Sequence, residues 1–238
     1  MTAEKALRVP NGELRTVDDV PAAFAALVAE QIRLLTRSDG PDQERFRLVL
    51  SGGATARQCY ERLASIPELD WGRVECLVGD ERCVPADDPD ANQKMIREAL
   101  VEKVQPRPVF VPMDCDLAPE AYEEVIASSP HLDLVHLGLG PDGHTASLFP
   151  GSAGLNAPPG RLVERNVDPK GRNRHPRLTL TLAGIARARL VVFTVAGADK
   201  HEALWRVAHG EDLPAAHVRA ERVLWLCDQD AVGSRGSD

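Results

Sequence analysis

Aromatic residues are scarce in this sequence: Phe, Trp and Tyr make up 4% of its 238 residues. A platform for single-stranded nucleic acid needs successive aromatic side chains for base stacking, so that function class is disfavoured. An excess of positive charge is also lacking. Lys and Arg number 28 against 36 Asp and Glu, for a net charge of −8, and an acidic chain gains nothing from a generic phosphate backbone. No nucleic-acid partner is expected, and any anionic ligand must be held by a local site. Long apolar runs are missing too. The longest, Leu190 to Ala198, is broken by Thr194 and Gly197 and is far below the ~20 residues of a membrane span, so no membrane partner is expected. Met1 to Val9 lacks the apolar stretch of a secretory signal. The five cysteines, at 59, 76, 83, 115 and 227, include no Cys-x-x-Cys pair. They read as small buried or half-buried hydrophobes in a reduced, cytoplasmic protein.

What is present is a globular composition, 43% hydrophobic and 27% charged, enough for one buried core. The chain reads as a single domain over 1–238, with a core at about 10–227 and a polar, disordered tail at 228–238. Apolar residues at Val20, Phe24, Leu27, Val28, Ile32 and Leu35 predict an amphipathic helix over Asp18 to Arg37. Strands are expected at Phe46 to Leu50, Val74 to Val78, Val109 to Val111, Leu132 to Leu139, Leu178 to Leu182, Leu190 to Ala196 and Val223 to Cys227. Helices are expected at Thr55 to Ala64, Asn92 to Val101, Pro119 to Ser128 and Asp199 to Ala208. Near-continuous apolar strands alternating with helices imply an α/β fold: a three-layer α/β/α, Rossmann-like, mostly parallel sheet. The Gly-, Pro- and Asn-rich stretch Gly151 to Asn173 is expected to be an active-site loop.

Ligands of such sheets gather at the carboxyl ends of the strands, and four strand exits carry unusual residues. At Ser51-Gly52-Gly53-Ala54-Thr55, paired glycines and a helix start can bring backbone N–H groups to an anion, with Ser51 and Thr55 adding hydroxyls. The same residues also fit a tight turn capped by Thr55. Gly79-Asp80-Glu81-Arg82 fits either a solvated turn or an arginine that polarises a carbonyl or holds an oxyanion. Leu137 to His144 spells Gly-x-Gly-x-x-Gly, but Pro150 follows Gly143 after only six residues, too soon for the helix a dinucleotide site requires. The segment reads better as an exit that places Asp142 and His144 on either side of Gly143, suited to proton transfer near neutral pH. Arg177 and Lys200 each open an element and are either surface charges or a phosphate clamp. No motif for a metal, and no Gly-x-Ser-x-Gly nucleophile elbow, is present.

Together these residues resemble the 6-phosphogluconolactonase family, within the broader group that includes glucosamine-6-phosphate deaminase. Gly140-Pro141-Asp142-Gly143-His144-Thr145-Ala146-Ser147-Leu148-Phe149-Pro150-Gly151 is similar to the family signature. Gly79 to Pro85, Asn92 to Glu98, Leu50 to Gly53, Arg177 to Thr181 and Gly197 to Lys200 resemble its other motifs, so the likeness runs from about Phe46 to Cys227. The glycine loop departs from the family, with Ala54 and Ala56 where Ser and Pro are usual. The deaminase branch carries a Tyr after Asp-Glu where this chain has Arg82.

The resemblance implies hydrolysis of 6-phospho-D-glucono-1,5-lactone, a small phosphosugar lactone, by a monomer or weak homo-oligomer without metal or cofactor. It implies His144 as general base, Asp142 as the nearest group to orient it, and Arg82 to stabilise the oxyanion or orient the substrate. Ser51, Gly52, Gly53, Ala54, Thr55, Asp80, Arg177 and Lys200 are the implied substrate and phosphate contacts. Two other readings on the same fold are a phosphosugar deaminase or isomerase and a non-catalytic sugar-phosphate sensor.

Overall fold

A strand built almost wholly of Val, Leu and Phe needs cover on both faces, and every residue from Phe46 to Leu50 is indeed buried. The computed structural model describes residues 7–36 and 45–233. Its elements run β1 (Glu13–Thr16), α1 (Val20–Thr36), β2 (Phe46–Leu50), α2 (Ala54–Ala64), β3 (Val74–Val78), β4 (Asp80–Arg82) and α3 (Asn92–Ile96). There follow β5 (Val109–Val111), α4 (Pro119–Ala127), β6 (Leu132–Gly138), β7 (Val163–Asn166), β8 (Arg177–Leu180) and α5 (Leu182–Ile185). The last are β9 (Ala188–Val195), α6 (His201–Ala208), α7 (Pro214–His217), β10 (Arg222–Cys227) and α8 (Gln229–Val232).

Seven strands form one sheet in the order β1-β10-β9-β6-β2-β3-β5, and every pairing in it is parallel. The register sets Leu48 beside Leu134 and Val49 beside Val135. Side chains alternate between faces along a strand, so Leu48, Leu50, Leu134 and His136 share one face and Arg47, Val49 and Val135 the other. His136 meets Phe24 of α1 and Tyr60 of α2, with ring centroids 4.2 and 5.4 Å away. On the opposite face Arg47 donates to the carbonyl oxygens of Val125 (2.6 Å) and Ile126 (3.3 Å) of α4. Helices therefore cover both faces, and the three-layer α/β expectation holds. Strand β2 lies between β3 and β6, so the chain leaves β2 toward one edge and returns on its other side through β6. That reversal opens a crevice beyond the carboxyl ends of β2 and β6.

A second sheet of three antiparallel strands, ordered β4-β8-β7, stands apart from the first. It departs from the sequence expectation in three places. Asp80–Arg82 is a strand instead of a charged turn, with Asp80 6% and Glu81 1% exposed. The expected loop Gly151 to Asn173 contains β7 and a short 3-10 turn at Ala153–Asn156. The strand expected over Leu178 to Leu182 ends at Leu180, because Thr181 caps α5 by accepting the N–H of Gly184 (3.0 Å). Pairing between distant segments decides the first two, which local composition does not report, and a local helix cap decides the third.

Other differences are smaller. Strand β1 went unpredicted, and α8 occupies part of the expected tail, capped by Asp228, which accepts the N–H of Ala231 (2.8 Å). Positions 234–238 of that tail, and Arg37 of the first helix, lie outside the described residues. Cys59, Cys76 and Cys227 are buried and free, and burial pushes the Cys59 and Cys227 thiols up to about 12. Cys83 and Cys115 instead form a disulfide with a Cα–Cα distance of 5.3 Å, correcting the expectation of five free cysteines. The parallel pairing of β3 with β5 brings these two segments together, which their separation of 32 residues does not reveal.

Between α2 and the sheet lies a buried polar chain. The Tyr60 hydroxyl accepts the N–H of Ser51 (2.8 Å), lies 3.0 Å from the Ser51 carbonyl oxygen and is 2.8 Å from His136 Nδ1. His136 Nε2 is 2.8 Å from Thr194 Oγ1. Burial lowers the His136 pKa from 6.5 to about 3, so the ring is neutral in the fold but takes up a proton below about 6.5 once unfolded. The unfolded state therefore binds more protons across that window, and stability is lost as pH falls, by up to ~1.4 kcal/mol per unit. Melting temperature is expected to drop steeply between pH 6.5 and about 4 in the wild type, and less steeply in His136→Leu. Parallel melting curves for the two proteins would refute this assignment.

Candidate active site

The glycine turn after β2 is shaped by its neighbours. A Cβ on Gly52 would lie 1.9 Å from Asn92 Oδ1, so only glycine fits beside that side chain. Gly53 has φ +106° and opens into space, and it stands at the N-cap of α2 without a side-chain cap. Thr55 thus lies in the first turn and does not cap the helix. The first N–H groups of a helix have no intrahelical partner and carry partial positive charge, which suits the Gly53–Thr55 backbone to an anion. Ser51 differs from its expected role. Its hydroxyl donates to the carbonyl of His136 (2.6 Å) and its N–H to Tyr60 (2.8 Å), so both donors are used inside the fold.

Two arginines come together on the second sheet. The register of β4 and β8 sets Arg82 directly opposite Arg177. Arg82 donates Nη1 to the carbonyl of Asp90 (2.8 Å), while the buried Nε atoms of both arginines have no hydrogen-bond partner among the described residues. Burial, foremost, lowers the pKa of Arg177, with neighbouring Arg82 adding to the effect and Asp80 opposing it. Glu81, pointing away, receives the backbone N–H groups of Arg82 (2.7 Å), Asn92 (2.7 Å) and Gln93 (2.8 Å). Burial raises its pKa and these bonds hold it back. A buried carboxylate thereby fastens β4 to the start of α3. Asp80 accepts a hydrogen bond from the Ser147 hydroxyl (2.6 Å).

The exit of β6 builds an acid–base pair. His144 Nδ1 lies 2.5 Å from Asp142 Oδ1, which also accepts the His144 N–H (3.2 Å). The bond to His144, outweighing burial, holds the Asp142 carboxyl at about 2, so Asp142 is ionised and Nδ1 carries the proton. Nε2 is left as the acceptor. The ring is packed closely on the backbone of Gly140, where a Cβ would come within 2.1 Å of it, and against Phe149 at 5.1 Å between centroids. Ala146 adopts φ +47°, an uncommon conformation for a residue with a Cβ.

All these parts face one cleft of about 310 Å³, lined by Ser51, Gly52, Gly53, Ala54, Thr55, Asp80, Arg82, His144, Arg177 and Lys200. Of the eleven expected site residues only Asp142 is off the wall, standing behind His144. Lys200 follows β9, with Nζ 3.3 Å from Asp199, whose side chain is 74% exposed, a pairing too solvated to neutralise it. The cleft also contains Asn92, Ala146, Ser147, Phe149, Asn173 and Thr194, which were not named as site residues from the sequence. Ser147 and Phe149 lay inside the quoted signature and Asn92 inside the helix motif, whereas Asn173 and Thr194 had no local signal. Among the described residues no group of three or more His, Cys, Asp or Glu is placed to hold a metal, and no helix is long and apolar enough to cross a membrane.

Comparison with known proteins bears on the family and the fold. Residues 17–225 match the family model for glucosamine-6-phosphate isomerases/6-phosphogluconolactonase. A 6-phosphogluconolactonase of Synechocystis sp. is 38% identical over 203 residues, covering 77% of this chain and 82% of the relative. The crystal structure of a 6-phosphogluconolactonase from Thermotoga maritima superposes with a TM-score of 0.76 at 29% identity, over 92% of this chain and 100% of that one. A monomeric glucosamine-6-phosphate deaminase shares the fold, with a TM-score of 0.78 at 18% identity over 92% and 98% of the two chains.

The two arginines, each with a buried Nε left without a partner among the described residues, generate a ligand-binding prediction. An anion that binds only the folded state stabilises it by about 2.7 kcal/mol when present at 100 times its Kd, about 5–10 °C in Tm for a chain of this size. Inorganic phosphate is expected to raise the Tm of the wild type in this manner and to shift Arg177→Gln by less than half as much. Equal shifts, compared at matched ionic strength with chloride, would take Arg177 out of the anion site.

Proposed function

The chain belongs to the family of glucosamine-6-phosphate isomerases and 6-phosphogluconolactonases, and we propose that within it this protein hydrolyses 6-phospho-D-glucono-1,5-lactone to 6-phospho-D-gluconate, the lactonase step of the oxidative pentose phosphate pathway. The observation that carries the reading is the placement, in one cleft, of an imidazole whose Nδ1 is held by Asp142 and of three cations, Arg82, Arg177 and Lys200, the two arginines with buried Nε atoms unpartnered among the described residues. The first suits water activation and the second an anionic sugar.

In this mechanism Arg177, Lys200 and the amide groups opening α2 hold the 6-phosphate. His144 Nε2 takes a proton from water as the water oxygen bonds to C1. The carbonyl electron pair moves onto oxygen, where Arg82 stabilises the charge. As that pair returns, the bond from C1 to the ring oxygen breaks and His144 delivers its proton to the departing alkoxide. The new carboxyl group then ionises, so each turnover consumes one water and releases one proton. Asp142 keeps the imidazole in the reactive tautomer and stabilises its cationic form. A δ-lactone is already activated toward water, so the reaction requires no metal or cofactor. The same reading places the protein in the cytoplasm as a monomer or weak homo-oligomer.

The test generates the lactone in situ with glucose-6-phosphate dehydrogenase and follows 6-phosphogluconate with its own dehydrogenase. The rate is expected to exceed uncatalysed hydrolysis in proportion to added protein; a rate at background sinks the proposal, and ammonia release from glucosamine 6-phosphate would then favour the deaminase. His144→Ala is expected to lower kcat by about 10²–10⁴-fold, the usual contribution of a positioned acid–base group. Turnover near wild type in a folded His144→Ala protein removes His144 from the mechanism. Lys200→Ala is expected to raise KM and leave kcat nearly unchanged, since a remote phosphate contact binds ground and transition states alike. An unaltered KM would place Lys200 outside the phosphate clamp.

A further inference from the structure

Between β7 and β8 the chain runs from 167 to 176 without helix or strand, yet two carboxylates fix its path. Asp168, 8% exposed, accepts the N–H of Lys170 (2.9 Å), the N–H of Asn173 (3.0 Å) and the side-chain Nδ2 of Asn173 (2.9 Å). Farther along, Asp90 pairs with Arg174 (2.6 Å) and His175 (3.0 Å), while its own carbonyl receives Arg82 Nη1 (2.8 Å). The loop is thus tied both to itself and to the cleft wall. Its product is the position of Asn173, which faces the cleft. Its neighbour Arg172 stands 3.8 Å from Asp142 Oδ2, which puts Asn173 at the acid–base end and not at the glycine turn.

The Asn173 amide is half committed. Donation from Nδ2 to Asp168 fixes which way the amide faces, and Oδ1 has no protein partner among the described residues. A free carbonyl oxygen offers nothing to a phosphate, which at neutral pH is mainly an acceptor, and complements a hydroxyl donor. We propose that Asn173 is a specificity-determining residue whose Oδ1 accepts a hydrogen bond from the sugar hydroxyl beside the reacting carbonyl, with Asp168 as the residue that positions it. This assignment rests on the lactonase reading.

The experiment compares 6-phosphogluconolactone with its 2-deoxy analogue, each formed in situ by oxidation of the sugar 6-phosphate, with proton release as a common readout. Wild type is expected to favour the parent lactone in kcat/KM by about tenfold or more, the cost of leaving one buried hydrogen-bonding group unmatched. In Asn173→Ala the parent falls to the level of the analogue, while the analogue changes less than twofold. Asp168→Ala follows the same pattern. An Asn173→Ala protein that keeps the preference, or loses both substrates equally, overturns the assignment and leaves the lactonase standing. Full discrimination in Asp168→Ala overturns the positioning role. Wild type that hydrolyses neither lactone above background overturns the lactonase reading itself, and this assignment with it.

Discussion

Arg82 and Arg177 face each other across the β4–β8 pairing, and directly opposed like charges weaken a strand pair. The strands hold because other bonds carry them. Glu81 binds three backbone N–H groups, and Asn92 donates to the carbonyl of Asp80 (2.8 Å). Cys83 donates its N–H to Pro176 (2.9 Å) and is linked to Cys115. None of these involves a guanidinium. The two arginines thus both reach the cleft wall, Arg82 held there by the carbonyl of Asp90 (2.8 Å). A chain of net charge −8 thus gathers Arg82, Arg177 and Lys200 on the wall of one recess.

Two histidines of β6 and its exit show how burial divides labour. His136 is wholly enclosed, set beside Phe24, Tyr60 and Thr194, and is held uncharged by desolvation. His144 sits at the cleft with the Asp142 carboxylate 2.5 Å from its Nδ1. The first sets structure and the second is equipped to move a proton. They are coupled through backbone: the His136 carbonyl receives the Ser51 hydroxyl (2.6 Å), so β6 and the glycine turn after β2 share one scaffold. On the proposed reading this fixes the separation of the phosphate contacts and the base, which an oriented reaction requires.

The main sheet was legible because parallel strands covered on both faces read as apolar runs, and Phe46–Leu50 and Val74–Val78 appeared with their structural bounds. The second sheet was not. Asp80–Arg82 carries three charges and β7 lies in a Gly- and Pro-rich stretch, so neither has a strand pattern of its own. The site followed the same division. His144, Arg82, Arg177 and Lys200 stood out at strand exits, where an unusual residue has few structural explanations. Ser51 was misread because a hydroxyl beside two glycines looks available, and only the packed neighbour shows its acceptor. Asn173 was invisible, since its orientation depends on Asp168 within a loop whose residues would otherwise suit any exposed turn.

Charge also bears on how the proposed cycle closes. On the lactonase reading the substrate carries its negative charge at the phosphate end, and ring opening creates a second anionic group at the end where Arg82 and the Asp142–His144 pair stand. Asp142 is ionised down to about pH 2, so the new carboxylate faces a like charge behind His144 as well as the guanidinium assigned to the oxyanion. The two oppose each other at the carboxylate end, while the phosphate contacts are the same in substrate and product. Release on this reading therefore turns on the balance between Asp142 and Arg82, a balance the neutral lactone carbonyl does not meet.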